Sequence, residues 1–268
     1  MKEKLNIKFN KSFGQNFIFD TNLLKAIVND AEVSGTTDVL EIGTGAGTLT
    51  KELALKANKV ISYEIDTNLK PTIENNLEDI KNATVVFKDI LKEDMQTIES
   101  NFDGDYVMVA NLPYYITTPI IFKFIENATK LKTMVIMVQK EVALRICAKE
   151  NTADYGAITA VINAIANTKI TRIVKRNMFV PAPNVDSAIV KIDFDKNKYQ
   201  INSFENLSKL IKCAFHMRRK TLINNLKMLN VSKEKIEEAF NTLNLNPNVR
   251  GEALSSKQFA ELSNLLFD

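Results

Sequence analysis

One stretch of this 268-residue chain indicates its fold most directly: Val39-Leu40-Glu41-Ile42-Gly43-Thr44-Gly45-Ala46-Gly47-Thr48-Leu49-Thr50. An apolar run leads into three glycines at alternate positions, which is the pattern of a strand entering a tight turn that opens a helix. Such glycines let a ligand approach the backbone closely. Their spacing matches neither the dinucleotide fingerprint nor the phosphate loop. The stretch therefore predicts a nucleotide-cofactor site of another kind, or else a turn without a ligand.

The sequence on both sides of this turn predicts an α/β protein. Short apolar, β-branched runs alternate with longer helix-like stretches, as expected for a mostly parallel sheet covered by helices. The predicted strands are Asp38–Ile42, Lys59–Ile65, Thr84–Phe87, Tyr106–Ala110, Thr133–Val138, Ile170–Val174 and Ala188–Phe194. After Asp195 the chain becomes rich in Lys and Asn, with apolar residues at helical spacing. We predict a larger domain over residues 1–195 and a small helical domain over residues 196–268, joined at Lys196-Asn197-Lys198.

The composition excludes several other classes of protein. Thirty-five Lys and Arg against 32 Asp and Glu give a formal net charge of only +3, so any basic surface must be local. The two cysteines, Cys147 and Cys213, lie far apart without metal-ligand spacing, which argues against a disulfide scaffold or a zinc site. Residues 1–8 lack the apolar region of a signal peptide, and no apolar run approaches the roughly 20 residues of a membrane span. We expect a soluble, cytoplasmic protein.

Two acidic residues follow the next predicted strands. Glu64 lies about 20 residues after the glycine turn, where a carboxylate can accept both hydroxyls of a ribose. Asp89 closes the third strand, where it could accept a hydrogen bond from an adenine amino group. Each acid taken alone could be a solvated strand end. Because the carboxyl ends of consecutive parallel strands meet in one crevice, the three features together favour a common site.

The tetrapeptide Asn111-Leu112-Pro113-Tyr114 ends the fourth predicted strand and indicates the chemistry. The amide oxygen of Asn111 and the backbone carbonyl of Leu112 or Pro113 can accept hydrogen bonds from the two N–H groups of an adenine amine. These bonds favour a pyramidal, more nucleophilic nitrogen. Pro113 restricts the local backbone, and Tyr114 can stack on an extracted base. The alternative is a turn that leads into a helix starting near residue 117.

With these features in this order, the sequence resembles the ribosomal RNA adenine dimethyltransferase family over nearly its whole length. Bacterial members modify two adjacent adenosines near the 3′ end of the small-subunit RNA. The segments that carry the resemblance are Lys11-Ser12-Phe13-Gly14-Gln15-Asn16-Phe17, Glu41-Ile42-Gly43-Thr44-Gly45-Ala46-Gly47, Asn111-Leu112-Pro113-Tyr114-Tyr115-Ile116-Thr117-Thr118-Pro119, Gln139-Lys140-Glu141-Val142-Ala143 and Phe179-Val180-Pro181-Ala182-Pro183-Asn184-Val185-Asp186-Ser187.

The resemblance implies a Rossmann-like class I S-adenosylmethionine-dependent methyltransferase fold with a small C-terminal helical domain. It implies S-adenosylmethionine as methyl donor, no metal, and 16S rRNA in the small subunit or its precursor as partner of a monomeric enzyme. The family often has Pro where Thr44 stands and Leu where Phe13 stands. Neither position donates a side chain that the chemistry requires.

The resemblance also assigns roles to individual residues. Gln15, Asn16 and Ile18 are expected over the methionine and ribose side of the cofactor, and Phe179 is expected to face Tyr114 across the target base. From its residues alone, the loop around Phe179 could instead pack its aromatic ring into the core. The predicted cofactor-binding residues are Gln15, Asn16, Ile18, Gly43, Gly45, Glu64, Ile65, Asp89, Ile90 and Asn111. The predicted catalytic residues are Asn111, Leu112, Pro113, Tyr114 and Phe179.

Candidate RNA contacts come from local clusters of cations. Arg218, Arg219 and Lys220 are consecutive, and we place them at the beginning of a helix in the C-terminal domain, where the family has a similar segment. Such a cluster can bind phosphates, although short charge runs are also common on solvated faces. Lys140 and Arg145 complete the predicted RNA-binding set.

Three alternatives to the small-subunit enzyme differ in substrate or activity. A resistance methyltransferase that modifies large-subunit (23S) RNA tends to have Asn-Ile-Pro-Tyr, and Asn-Ser where this chain has Asp186-Ser187. A DNA adenine methyltransferase is disfavoured because no additional DNA-recognition domain is evident. A non-enzymatic ribosome-assembly factor is disfavoured because the cofactor and target-base residues are all present.

Overall fold

The computed structural model describes residues 14–195 and 197–267. Residues 11–13 of the first family segment, the N-terminal residues 1–8 and Lys196 of the predicted linker therefore lie outside the described residues. The strands are β1 (Phe17–Ile18), β2 (Asp38–Ile42), β3 (Lys59–Glu64), β4 (Ala83–Phe87), β5 (Tyr106–Asn111), β6 (Leu131–Gln139), β7 (Ala166–Val174), β8 (Phe179–Val180) and β9 (Ser187–Phe194). The helices are α1 (Thr21–Asp30), α2 (Thr48–Ala54), α3 (Lys70–Asn76), α4 (Met95–Glu99), α5 (Thr117–Asn127), α6 (Lys140–Ile146), α7 (Ala157–Ile165), α8 (Phe204–Ala214), α9 (Leu222–Leu226), α10 (Lys233–Thr242) and α11 (Ser256–Phe267).

Seven of the strands form one sheet, in the order β4-β3-β2-β5-β6-β9-β7. β2 pairs in parallel with β3 on one side and with β5 on the other, and the pairs β3–β4 and β5–β6 are also parallel. The side chains of β2, β3 and β5 are almost all buried, as expected for strands covered on both faces. Because the chain leaves β2 toward β3 and later returns beside it as β5, the strand order switches at β2. Open α/β sheets bind ligands at such a point.

The predicted α/β rhythm is confirmed, since every predicted strand is present. The largest difference in bounds is at β7, which begins at Ala166, whereas the predicted strand began at Ile170. The prediction missed this part because Asn167, Thr168 and Lys169 are polar and lack the apolar pattern of a buried strand. The two-residue strands β1 and β8 were not predicted. They pair only with each other, with Phe17 opposite Val180, so tertiary contact alone defines them.

The register of the sheet brings the predicted site residues to one level. The last residue of β2 lies opposite Tyr63 of β3 and Ala110 of β5. The residue that follows each of these is Gly43, Glu64 and Asn111, respectively. Parallel pairing therefore places the glycine turn, the ribose-binding candidate and the catalytic candidate side by side.

The chain divides into two compact units. The first contains the residues up to Ala143 together with Lys169–Ile192, and the second contains Leu144–Thr168 together with the residues from Asp193 onward. In the second unit, α7 packs against α8 and α11. The unit boundary near residue 193 falls close to the predicted boundary, but Leu144–Thr168 joins the C-terminal helices, a contact distant in sequence that composition cannot show. The assignment of functions to residues 1–195 and 196–268 stays a prediction.

The cations at 218–220 do not begin a helix as predicted. α8 ends at Ala214, residues 215–219 form turns, and α9 begins at Leu222. The cations lie outside α9 because its N-cap, Thr221, has extended backbone. Within the described ranges, no helix combines the length and the apolar composition that a membrane crossing requires.

Candidate active site

A cavity of about 260 Å³ lies at the carboxyl ends of β2, β3, β4 and β5. Its lining comes from residues 14–17, from Ile42, Gly43 and Gly45, and from residues 63–65, 88–91 and 111–116. The predicted cofactor-binding and catalytic residues all contribute to this lining except Ile18 and Phe179. The structure thus brings together three chain segments that the sequence predicted to converge.

The glycine turn needs its glycines for two different reasons. Gly43, Gly45 and Gly47 have φ angles of +83°, +58° and +78°, a backbone conformation that residues with a Cβ rarely adopt. A Cβ at Gly45 would also lie only 3.0 Å from the ring of Phe17. The turn therefore follows a path that other residues would strain, and it presents its backbone to the cavity.

Glu64 lies under the turn and is nearly fully buried, at 6% exposure. Its Oε2 accepts a hydrogen bond from the Gly45 N–H at 2.8 Å, and its Oε1 accepts from the Asp66 N–H at 2.8 Å. Burial raises the pKa of Glu64, while these backbone donors act in the opposite direction. Each carboxyl oxygen has a second acceptor site, so the group can still accept hydrogen bonds from a diol in the cavity.

Asp89 and two isoleucines line the cavity beyond Glu64. The Asp89 Oδ1 accepts from the Leu91 N–H at 3.0 Å, which orients the carboxylate after β4. Ile65 is 43% exposed although it is apolar, whereas Ile90 is buried. An acceptor beside apolar surface is suited to a flat heterocycle with an amino group.

Asn111 ends β5, and its side chain is held in one orientation. Its Nδ2 donates to the backbone carbonyl of Asn16 at 2.8 Å. A carbonyl can only accept, so the NH₂ end of the amide must face Asn16 and the Oδ1 end must point away from it. No described residue donates to that oxygen, which leaves Oδ1 available as an acceptor.

The sequence did not decide whether the backbone carbonyl of Leu112 or that of Pro113 is the second acceptor, and the structure distinguishes the two. The Pro113 carbonyl accepts from the Ile116 N–H at 3.1 Å and from the Thr117 hydroxyl at 3.2 Å, so it is used by the turn before α5. The Leu112 N–H donates to Met137 at 3.3 Å, which ties this residue to β6. The Leu112 carbonyl is therefore the better candidate for an acceptor beside Asn111.

Tyr114 lines the cavity and is held at its far end by a hydrogen bond. Its hydroxyl lies 2.7 Å from the hydroxyl of the fully buried Ser187. Burial raises the pKa of Tyr114, so the phenol is neutral at physiological pH. A ring fixed at its hydroxyl end loses little further freedom when it stacks on a base.

Ile18 and Phe179 are not brought into the cavity. They lie opposite each other in the β1–β8 pair and are both 3% exposed or less within the main hydrophobic core. In β8 the side chain of Phe179 is buried whereas that of Val180 is exposed, which agrees with the packing alternative. The expected position of Phe179 across the target base from Tyr114 stays a prediction.

A buried hydroxyl network supports the glycine turn from below. Glu41 is completely buried, and its Oε2 accepts from the Thr50 hydroxyl at 2.5 Å and from the Ser62 hydroxyl at 2.6 Å. Ser62 in turn lies 2.6 Å from the hydroxyl of Thr44. Desolvation by burial raises the pKa of Glu41 to about 8. Thr44, where the family often has Pro, therefore joins the turn to a carboxyl group that is mostly protonated at neutral pH.

Asp66 and Tyr115 were not among the predicted site residues. Asp66 is 2% exposed and supports the lining from outside, because its Oδ2 accepts from the side chain of the lining residue Gln15 at 2.8 Å. Tyr115 is 57% exposed, lines the cavity and has its ring next to Gly14. The run Glu64-Ile65-Asp66 contained a signal for the former, since a second acid follows the ribose candidate at the same strand end.

The predicted RNA-binding cations have different surroundings. Arg218 donates to the carbonyls of Ala153 at 3.1 Å and Tyr155 at 3.2 Å, which gives it a structural role in the second unit. Arg219 and Lys220 are exposed. Lys140 and Arg145 lie in α6, at its first residue and in its last turn. Across residues 14–195 and 197–267, no group of three or more His, Cys, Asp or Glu side chains could hold a metal ion.

The cavity lies where the strand order of a parallel sheet switches, and the Asn111 amide in its lining has an oxygen available as an acceptor. This arrangement is typical of Rossmann-like S-adenosylmethionine-dependent methyltransferases. Two solved structures share this fold. A dimethyladenosine transferase from Plasmodium falciparum has a TM-score of 0.80 and 27% identity, covering 92% of this chain and 95% of its own. The 23S rRNA methyltransferase ErmE has a TM-score of 0.71 and 26% identity, covering 94% and 100%. The predicted fold class is confirmed.

The chain belongs to the ribosomal RNA adenine dimethylase family, which it matches over residues 6–268. Ribosomal RNA small subunit methyltransferase A of Clostridium botulinum is 42% identical over 266 residues, covering 99% of this chain and 96% of the relative. The protein of that name from Clostridioides difficile is 42% identical over 268 residues, covering 98% and 93%. The predicted family is confirmed, and with it an rRNA adenine dimethyltransferase activity.

Proposed function

We propose that this enzyme transfers methyl groups from S-adenosylmethionine to the N6 amines of two adjacent adenosines near the 3′ end of 16S rRNA, forming N6,N6-dimethyladenosines during small-subunit maturation. The observation that carries the proposal is the fixed amide of Asn111, whose Oδ1 is left as an acceptor at the end of β5. The small-subunit target is supported by the relatives named above, which cover nearly the whole chain.

The chemistry of the cavity lining supports the proposed cofactor. The left-handed turn at Gly43 and Gly45 lets a ligand approach the backbone, and Glu64 is placed to accept the two hydroxyls of a ribose. Asp89, beside Ile65, supplies an acceptor next to apolar surface for the adenine ring. When bound, S-adenosylmethionine supplies an activated methyl group on a positively charged sulfonium.

The residues at the end of β5 prepare the target amine for transfer. The lone pair of an adenine amino nitrogen is delocalised into the ring, which makes the nitrogen a weak nucleophile. Hydrogen bonds from its two N–H groups to the Asn111 Oδ1 and the Leu112 carbonyl favour a pyramidal nitrogen with a localised lone pair. Both acceptors are held in place before the base arrives, so little reorganisation is needed.

Tyr114 provides the surface on which the extracted base rests. A base must leave its stack to reach a buried site, which costs a few kcal/mol. Stacking on an aromatic ring contributes roughly 1–3 kcal/mol per base and offsets part of this cost. The hydrogen bond from Tyr114 to Ser187 at 2.7 Å keeps the ring in position.

The RNA partner is proposed to bind through exposed cations, of which Arg219 and Lys220 are free of intramolecular side-chain partners among the described residues. Lys140 and Arg145 are proposed to add to this binding, whereas Arg218 would contribute mainly by holding its loop. We propose that the enzyme acts as a cytoplasmic monomer on the small subunit or its precursor. A large-subunit target remains the second candidate because ErmE, a 23S rRNA methyltransferase, shares the fold over 94% of this chain.

The test is radiolabelled methyl transfer from S-adenosylmethionine to unmethylated small ribosomal subunits, with protein-free large-subunit RNA in parallel. Digested nucleosides are analysed by mass spectrometry. Dimethyladenosine in the small-subunit sample alone is the expected result. Label in large-subunit RNA alone would move the enzyme to the second candidate, and label in neither would refute both.

A further inference from the structure

Residues 14–18, here called the strap, contribute their first four residues to the cavity lining and are anchored just after β3. The Gln15 Nε2 donates to the Asp66 Oδ2 at 2.8 Å. Asp66 is itself fixed, because its Oδ1 accepts from the backbone and side chain of Asn68 at 3.1 and 2.9 Å and its N–H donates to Glu64 at 2.8 Å. The anchor is therefore a buried carboxylate with little freedom to move.

The same strap contacts the end of β5 through its next residue. The backbone carbonyl of Asn16 accepts from the Asn111 Nδ2 at 2.8 Å, and the Asn16 side chain donates back to the Gly14 carbonyl at 3.0 Å. Gly14 packs under the Tyr115 ring. One short segment thus joins a carboxylate after β3 to the amide that ends β5.

The identity of the contacting atom decides what Asn111 offers to the cavity. Because a carbonyl cannot donate, its presence favours the amide rotamer in which NH₂ faces the strap and Oδ1 faces the ligand. Without that carbonyl, the two ends of the amide are no longer distinguished by a partner. The flipped amide would place its own N–H groups against those of a target amine, which is a repulsive arrangement.

We propose that Gln15 and Asp66 are positioning residues that act on Asn111 through the strap: their hydrogen bond holds the Asn16 carbonyl where it directs the Asn111 oxygen to the target amine. The orientation of the amide follows from the contacts alone, whereas its effect on turnover rests on the proposed function. Asp66 touches neither the amine nor the amide. Its influence passes through a main-chain carbonyl that no side-chain substitution at Asn16 removes.

The experiment exchanges the donor and the acceptor of the hydrogen bond between residues 15 and 66. Q15E places two carboxylates against each other, and D66N leaves one oxygen to serve both Gln15 and Asn68. The double variant Q15E/D66N restores the bond with donor and acceptor reversed. At saturating S-adenosylmethionine and small subunits, we expect each single variant to lower kcat roughly 10- to 100-fold, the value of a hydrogen bond to a charged group. The double variant should have a kcat roughly 10-fold higher than either single variant, because the hydrogen bond is restored.

A second measurement reports on Asn111 whether or not the enzyme turns over. In ¹⁵N spectra, the side-chain NH₂ signal of Asn111 is identified by its loss in N111D. We expect slow exchange with solvent in the wild type, fast exchange in Q15E and D66N, and slow exchange again in the double variant. Equal unfolding midpoints for all four proteins control for a general loss of structure.

Wild-type values of kcat and amide exchange in the two single variants would overturn the proposal. So would a double variant that recovers neither, since the bond would then be irrelevant. Cofactor affinity is measured separately for each variant because Gln15 also lines the cavity. A wild-type enzyme that fails to label small subunits would refute the proposed function, while the amide measurement would still decide whether the anchor orients Asn111.

Discussion

Replacing Glu41 by Gln should change how the stability of the protein depends on pH. Glu41 is fully buried, and its Oε1 has no hydrogen-bond partner among the described residues. Burial raises its pKa from 4.5 to about 8. The folded protein therefore keeps the carboxyl protonated over a pH range in which the unfolded chain ionises. The stability contributed by this group is present below about pH 4.5 and is lost as the pH rises toward 8.

The size of the effect follows from the pKa difference. Between pH 4.5 and pH 7, about 2.5 units at about 1.4 kcal/mol each, the group lowers the free energy of unfolding by roughly 3 kcal/mol. Gln cannot ionise, and its oxygen can accept the same two hydroxyl donors, Thr50 and Ser62. We therefore expect the stability of E41Q relative to wild type to rise by about 1.4 kcal/mol per pH unit between pH 5 and pH 8 and then to level off.

The assay is urea unfolding of wild type and E41Q at one-unit steps from pH 5 to pH 9. Taking the difference at each pH removes the contributions of groups that do not interact with Glu41. Glu64 is not among these groups, because its charge contributes to the raised pKa of Glu41. The exposed Glu78 gives a matched control for a Glu-to-Gln substitution outside the core, and E78Q is unfolded at the same pH values. A stability difference between E41Q and wild type that does not vary with pH would refute the reasoning, because Glu41 would then be ionised in the folded state.

Four further predictions concern the active site and the RNA. N111A should lower kcat for methyl transfer by about 10²- to 10³-fold through loss of the fixed acceptor. Y114A should lower the rate of methyl transfer to the target base by about 10- to 100-fold through loss of stacking. G45A should abolish binding of S-adenosylmethionine in calorimetry, since the turn has φ +58° and the new Cβ would lie 3.0 Å from the Phe17 ring. R219A should reduce the slope of log affinity against log salt for 16S rRNA by about 0.7–0.9, the value of one phosphate contact.

The predictions for Y114A, G45A and R219A each have a matched control. Y114F keeps the stacking face and loses only the bond to Ser187, so it should retain most activity; equal losses in Y114F and Y114A would argue against stacking. G104A changes a glycine with open space around it and should bind the cofactor normally. K233A changes another exposed cation and tests the salt effect, since an equal change in slope would remove the specific role of Arg219.

The α/β fold was readable from the sequence because local patterns report it. Buried parallel strands need continuous apolar runs, so all seven strands of the sheet were predicted, from Asp38–Ile42 to Ala188–Phe194. The glycine turn was equally local, since left-handed backbone at Gly43, Gly45 and Gly47 restricts which residues can occupy it. The convergence of Glu64 and Asn111 followed from the rule that parallel strands end at one edge.

Contacts between distant segments were decided only by the tertiary structure. Phe179 is buried beside its partner Ile18 in a strand pair that no local pattern predicted. Asp66 was not predicted, because its contact with Gln15 joins residues 51 positions apart. The residues that the chemistry could use were predictable from the sequence alone, since side-chain type and the order of the strands along the chain are local properties. Only the fold decided which ends of those side chains face the ligand, because a partner such as the Asn16 carbonyl, 95 positions from Asn111, is set by packing and not by spacing.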